Sequence, residues 1–133
     1  MSDVNFIIVQ PEISHQAFIQ LVAEQFSVIA TDVLDEDWNG LIHLQVACLT
    51  RYANNCLVNS NLQEFERIVR FVDHVLPRVD STVDNALHVS LIEDLEIDGD
   101  APLRQKARQL LSSQQLEFYV AVRNWRNEAS GKH

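Results

Sequence analysis

The first fifty residues contain no lysine and no arginine, while seven carboxylates fall among them: Asp3, Glu12, Glu24, Asp32, Asp35, Glu36 and Asp37. Arg51 is the first fixed positive charge. Residues 1 to 100 carry 17 carboxylates against four arginines, a net of −13; residues 101 to 133 carry two against six, a net of +4, and together they give the chain's −9. So uneven a division makes a lasting electric dipole with a broad acidic surface. That disfavours nucleic acid and anionic membrane as partners and favours a basic protein. Glycine and proline are scarce too, three of each in 133 residues, too few for the repeated reversals of an all-β sandwich. The longest unbroken apolar run of the most apolar stretch, Val46 to Leu49, is four residues, far short of a membrane span. The N-terminus has no basic region ahead of an apolar run, so no signal peptide is expected and the predicted compartment is the cytoplasm.

Only two cysteines occur, Cys48 and Cys56. On one helix, eight residues place them about 12 Å apart along the axis, too far for a disulfide. Both are expected to be small buried residues in a reducing compartment, with a reactive thiol as the minority reading. Catalytic signatures are missing: no G-x-S-x-G, no phosphate-binding glycine loop, no dinucleotide fingerprint. Glu12-x-x-His15 has the spacing of a carboxylate-bridged di-iron helix, but that architecture needs a second such pair and two further glutamates. Asp84 with His88, and Asp73 with His74, add isolated possible ligands without completing a site, and no Cys/His cluster has zinc spacing. The sequence therefore predicts no catalysis, no cofactor and no metal.

What is present is helical periodicity. With 47% apolar and 22% charged residues, the chain has the composition of a single globular domain, 1–133. After Pro11 and Ser14, the series Phe18, Leu21, Val22, Phe26, Ile29 predicts helix one over about 12–30. Residues 1–10 are a short strand or extended arm. Asp32 to Asn39 is a loop ending in Asn39-Gly40. Helix two, 41–58, is apolar around most of its wheel, with a thin polar side of His43, Thr50, Arg51 and Asn54, and is predicted to be the central, most buried element. Asn61 is placed to cap helix three, whose stripe runs Leu62, Phe65, Val69, Val72, Leu76, with Glu64/Arg67 and Glu66/Arg70 at ion-pair spacing. Helix four should open on a capping box, Ser81-x-x-Asp84, and carry Val83, Leu87, Leu91 and Leu95 as far as Asp98-Gly99. Asp100 is the expected N-cap of a short helix five, with Pro102 in its first turn. Helix six follows Ser112 and its box partner Gln115, bears Phe118, Val122 and Trp125, and ends near Glu128 ahead of a frayed tail, 129–133. The fold class is thus all-α, a compact bundle of about six helices built from antiparallel hairpins.

Two acidic groups are the candidate partner-binding residues. Asp35, Glu36 and Asp37 stand beside Trp38 in an exposed loop, where carboxylates would steer a basic partner and the ring would supply contact area. Alternatively, Trp38 packs back on the core and the acids only solvate the loop. Glu93, Asp94, Glu96 and Asp98, with Asp100, occupy the end of helix four, where they oppose the helix dipole. Pairing with Arg104, Lys106 and Arg108 across the next turn is the plainer account, and a partner or cation site the other. Arg104, Arg108, Arg123 and Arg126 could form a phosphate-binding face, though the net charge argues against nucleic acid.

Two stretches carry a resemblance: Leu41-Ile-His-Leu-Gln-Val-Ala-Cys-Leu-Thr-Arg51 with Tyr52, and Asp84-Asn-Ala-Leu-His-Val-Ser-Leu-Ile-Glu-Asp-Leu95. They resemble segments of small all-helical bacterial proteins of uncharacterised function, some of which are similar to immunity proteins encoded beside polymorphic toxins. The likeness spans roughly residues 35 to 126. It implies an immunity protein that occludes the active site of a cognate, basic, cytosol-acting toxin, with Asn85 and Ser90 as internal hydrogen-bonding residues. A helical adaptor or regulatory subunit without a toxin is the alternative, and a metal-dependent helical enzyme a more distant third.

Overall fold

A computed structural model describes residues 12–131, with side chains to residue 129; the arm expected at 1–10 lies outside the described residues. Among the described residues seven α-helices follow one another: α1 (His15–Gln25), α2 (Ala30–Val33), α3 (Ile42–Val58), α4 (Leu62–Val75), α5 (Ser81–Ser90), α6 (Pro102–Leu110) and α7 (Ser113–Gly131), with 3-10 turns at Ser27–Ile29, Glu36–Trp38 and Ile92–Asp94. The fold is all-α. Among the described residues the only extended pairing is an isolated parallel bridge between Ile13 and Val79, in which Ile13 N–H donates to Arg78 O (2.7 Å).

The extra helix arises because helix one does not run through to residue 30. Phe26 leaves helical geometry (φ −128, ψ 70) while its N–H still closes on Val22 O, and the chain restarts as a 3-10 turn and the four-residue α2. The break keeps both Phe26 and Ile29 in the core, although they no longer share one straight helical face.

As the wheel predicts, α3 is central. It packs against α1, α2, α4, α5 and α6, and nine of its 17 residues are buried, Leu49 and Ala53 completely. Its apolar surface exceeds its partners, however, so Leu44 and Val58 remain exposed. Phe65, Val69 and Val72 of α4 and Val83 and Leu87 of α5 face the same core. Phe26 and Phe71 meet edge to face at 5.3 Å.

The expected caps hold at Asn61, which accepts from Glu64 N–H (3.2 Å), and at Ser112, which accepts from Gln115 N–H (3.2 Å). Two are displaced by one residue. Asp80, not Ser81, caps α5: its backbone is extended and its Oδ1 accepts from Val83 N–H at 2.9 Å, leaving Ser81 already inside the first turn. Ala101, not Asp100, precedes α6, because Pro102 takes the first helical position.

Helix four is also shorter than its apolar stripe suggests. α5 ends at Ser90; Leu91, Ile92, Leu95 and Ile97 are all buried, but from a 3-10 turn and an extended stretch. Alternation replaces helical spacing beyond residue 94, which buries residues 95 and 97 and turns 96 and 98 outward. At the other end of the chain α7 reaches Gly131, past the expected end at Glu128, and Trp125, expected in its apolar stripe, is 68% exposed. The buried residues of α7 are Gln115 and Tyr119, so its last turns run beyond the core.

Candidate protein-docking surface

The polar side of α3 is a seam. His43 Nδ1 and Ser90 Oγ share a hydrogen bond (2.7 Å), and Thr50 Oγ1 donates to Ser90 O (2.5 Å). One turn further, Asn54 Nδ2 donates to Asp94 O (3.2 Å) while its Oδ1 accepts from Glu96 N–H (2.9 Å). Three of the four residues on that side therefore fasten α3 to α5 and to the chain that continues it. Ser90 is an internal hydrogen-bonding residue, joined across the seam rather than to its own turn; Asn85 is exposed, against expectation. Arg51, the fourth, stands over the Trp38 ring, 5.8 Å from its centroid.

That contact fixes the first acidic group. Asp35 Oδ1 accepts from Asp37 N–H (2.9 Å) and so caps the 3-10 turn Glu36–Trp38, which points the three carboxylates outward. All three are exposed, and none joins an ion pair among the described residues. Trp38 is half-buried against the core, so the packing reading holds for one face of the ring. Leu34 and Leu41 flank the loop and Leu44 follows one turn later, each 45% exposed or more. Behind it opens a cleft of about 500 Å³ with Asp35, Glu36, Gln16, Gln20 and Asn39 among its walls. Its inner side holds Gln45, a buried amide that accepts from His15 Nε2 (2.6 Å).

The second acidic group is placed differently. Arg126 pairs with Glu93, and Arg123 lies 3.1 Å from Asp98, which also accepts from Tyr119 O–H. The cations come from α7, not from Arg104, Lys106 and Arg108 as expected. Arg104 and Arg108 instead donate to backbone carbonyls of the extended stretch, Glu96 O, Ile97 O and Gly99 O. All four arginines of the supposed phosphate face are thereby engaged.

These positions match one family model, that of a Domain of unknown function (DUF7674), over residues 19–126. The chain belongs to this family. No curated protein and no solved structure matches it. The DUF7674 span takes in both acidic groups, the whole α3 seam and the two arginines of α7 that pair with Glu93 and Asp98, while Ile13 and His15 precede it.

Within that span several other polar residues bond to one another inside the fold. Tyr52 O–H donates to Glu64 Oε2 (2.5 Å), and Arg67 holds the same carboxylate through two bonds of 2.7 and 2.9 Å. The Arg67 hydrogen bonds, with help from Tyr52, hold the Glu64 carboxyl below its usual range against burial. Burial, with the neighbouring carboxylate, pushes Tyr52 up to about 12. Sequence reasoning found the Glu64/Arg67 pair but missed Tyr52, twelve residues away, since nothing at that separation signals contact. The buried amide of Gln45 was equally hidden within an apolar stretch, and Gln115, expected as the box partner of Ser112, instead donates its side-chain amide to Asp73 Oδ1 (2.8 Å).

Among the described residues no group of three His, Cys, Asp or Glu side chains could hold a metal ion. Glu12 is exposed, His15 is committed to Gln45, and His88 lies 2.8 Å from Asp84 Oδ1 and against the Phe118 ring. Cys48 and Cys56 are buried free thiols, as expected, and burial pushes both up in pKa. No helix among the described residues is long and apolar enough to cross a membrane.

Proposed function

We propose that this protein is an immunity protein: it binds a basic, cytosol-acting toxin domain through the Asp35–Trp38 loop and covers its active cleft, without catalysis, cofactor or metal of its own. One observation carries the reading. Of the two acidic groups, that of Asp35, Glu36 and Asp37 makes no ion pair at all among the described residues, whereas Glu93 and Asp98 of the other are held by arginines of α7, and the first group is bordered by a half-buried tryptophan and exposed leucines. Uncompensated charge speeds encounter with an oppositely charged protein, and a rim of charge around apolar side chains is the composition of a protein interface. Glu93, Asp94, Glu96 and Asp98, the other candidates, are secondary, since two of them are already occupied by α7.

Co-expression is the test. A basic protein recovered with this chain from its native cell should arrest growth when expressed alone and cease to do so when this chain is supplied. The triple variant Asp35→Asn, Glu36→Gln, Asp37→Asn should protect poorly while folding normally. If the recovered partner is harmless alone, the protein is an adaptor instead; if the triple variant protects fully, the docking surface lies elsewhere.

A further inference from the structure

Positive charge is so sparse before residue 101 that its four carriers can be placed one by one: Arg51 stands over Trp38, and Arg67, Arg70 and Arg78 line a single cleft of about 340 Å³ beside α1 and α4. No aspartate or glutamate lines that cleft among the described residues, in a chain of net charge −9. Phe26 and Phe71 supply aromatic wall, with Leu21 and Val75 beside them.

The three arginines are not equivalent. Arg67 is committed to Glu64 and lies over the Phe26 ring, 4.5 Å from its centroid; Arg70 is committed to Glu66, Asp73 and Leu110 O. Arg78 has no carboxylate among the described residues, and its Nε is buried without a hydrogen-bond partner there. Its backbone, by contrast, is fixed on both sides: its N–H donates to Val75 O (2.9 Å) and its carbonyl accepts from Ile13 N–H (2.7 Å). A guanidinium N–H withdrawn from water with no acceptor is unfavourable, and a carboxylate is the acceptor whose planar geometry matches it.

The geometry points to a binding site in this cleft for a small organic anion with a flat apolar body, an aryl carboxylate being its minimal form. The carboxylate takes the Arg78 guanidinium and the ring packs against Phe71 and the Arg67 guanidinium that covers Phe26. The volume is at the small end of ligand sites, which suits a single ring rather than a nucleotide. This assignment is independent of the toxin-binding reading, since the cleft shares no lining residue with the Asp35–Trp38 loop.

Titration of the full chain with 3-phenylpropionate and with its neutral amide, followed by the arginine Nε–H resonances, tests it. The carboxylate should shift the Arg78 resonance saturably and bind about tenfold more tightly than the amide, the ratio expected for one charge-assisted pair. Arg78→Met should abolish that preference, with an unchanged circular-dichroism spectrum because the tie to Ile13 is made by backbone. Equal affinity for acid and amide, or no saturable shift of Arg78 in the wild-type chain, would overturn the assignment without recourse to any variant.

Discussion

Trp38 presents one face to the core and Arg51 and leaves part of its ring to solvent, so its truncation should act on two quantities. Under the immunity-protein proposal, Trp38→Ala is expected to weaken binding of the partner per folded molecule by about 2 kcal/mol, mainly through a faster off-rate, as measured by surface plasmon resonance. Unchanged binding together with a lower melting temperature would make the ring a core residue only. Leu49 is fully buried in α3, and Leu49→Asp should leave the chain unfolded or aggregated, because an unpaired charge in a core costs several kcal/mol, comparable with total stability. Tyr52 and Glu64 both tie stability to pH. Folding lowers the Glu64 carboxyl, so the stability that it contributes is present above the ordinary carboxylate range and is lost as pH falls through the lowered value. Tyr52 goes the other way: the folded chain holds the phenolic proton more firmly, and stability is lost as pH rises from the ordinary tyrosine range towards about 12. Denaturant midpoints across pH should fall at both ends, and Tyr52→Phe should remove the alkaline fall that this residue contributes.

At the level of elements, the periodicity of apolar residues located every long helix, and its failures have local causes. The stripe Val83, Leu87, Leu91, Leu95 has helical spacing throughout, yet the helix stops at Ser90 because the backbone beyond it finds partners on α3 that a further turn would not offer: Thr50 at Ser90 O, Asn54 at Asp94 O and Glu96 N–H. Spacing records which residues are buried and cannot record which backbone groups a distant asparagine will take. The same limit applies to the acidic run, whose cations are 25 and more residues away on α7 rather than across the nearest turn. Of the candidate site, the Asp35–Trp38 loop was legible as an uninterrupted charge cluster beside an aromatic, whereas the leucines that border it were not, since exposure depends on where α3 runs out of partners. Asn54→Ala should destabilise the fold by about 1 kcal/mol by removing its two bonds to the backbone of residues 94 and 96, and chemical denaturation will show it. Asp80→Ala should cost about 1 kcal/mol as a lost cap, while Ser81→Ala costs little, an order opposite to the one that the capping-box pattern implies.

For the molecule as a whole, the division of charge becomes a statement about rates. Replacing Asp35, Glu36 and Asp37 by their amides should slow association with a basic partner and flatten its dependence on ionic strength, with a smaller effect on dissociation; stopped-flow measurements over a salt series will separate the two. The same substitutions at Glu93 and Asp98 should lower the melting temperature instead, since their cations are internal. α7 is joined covalently to the stretch that it neutralises, so Arg123 and Arg126 compete for those carboxylates at the effective concentration of a short tether, in the millimolar range. A free basic protein at cellular abundance has to displace them before it can use that surface. The C-terminal helix is in this sense a built-in competitor at Glu93 and Asp98, whereas no cation of the described chain pairs with the carboxylates of the loop before α3.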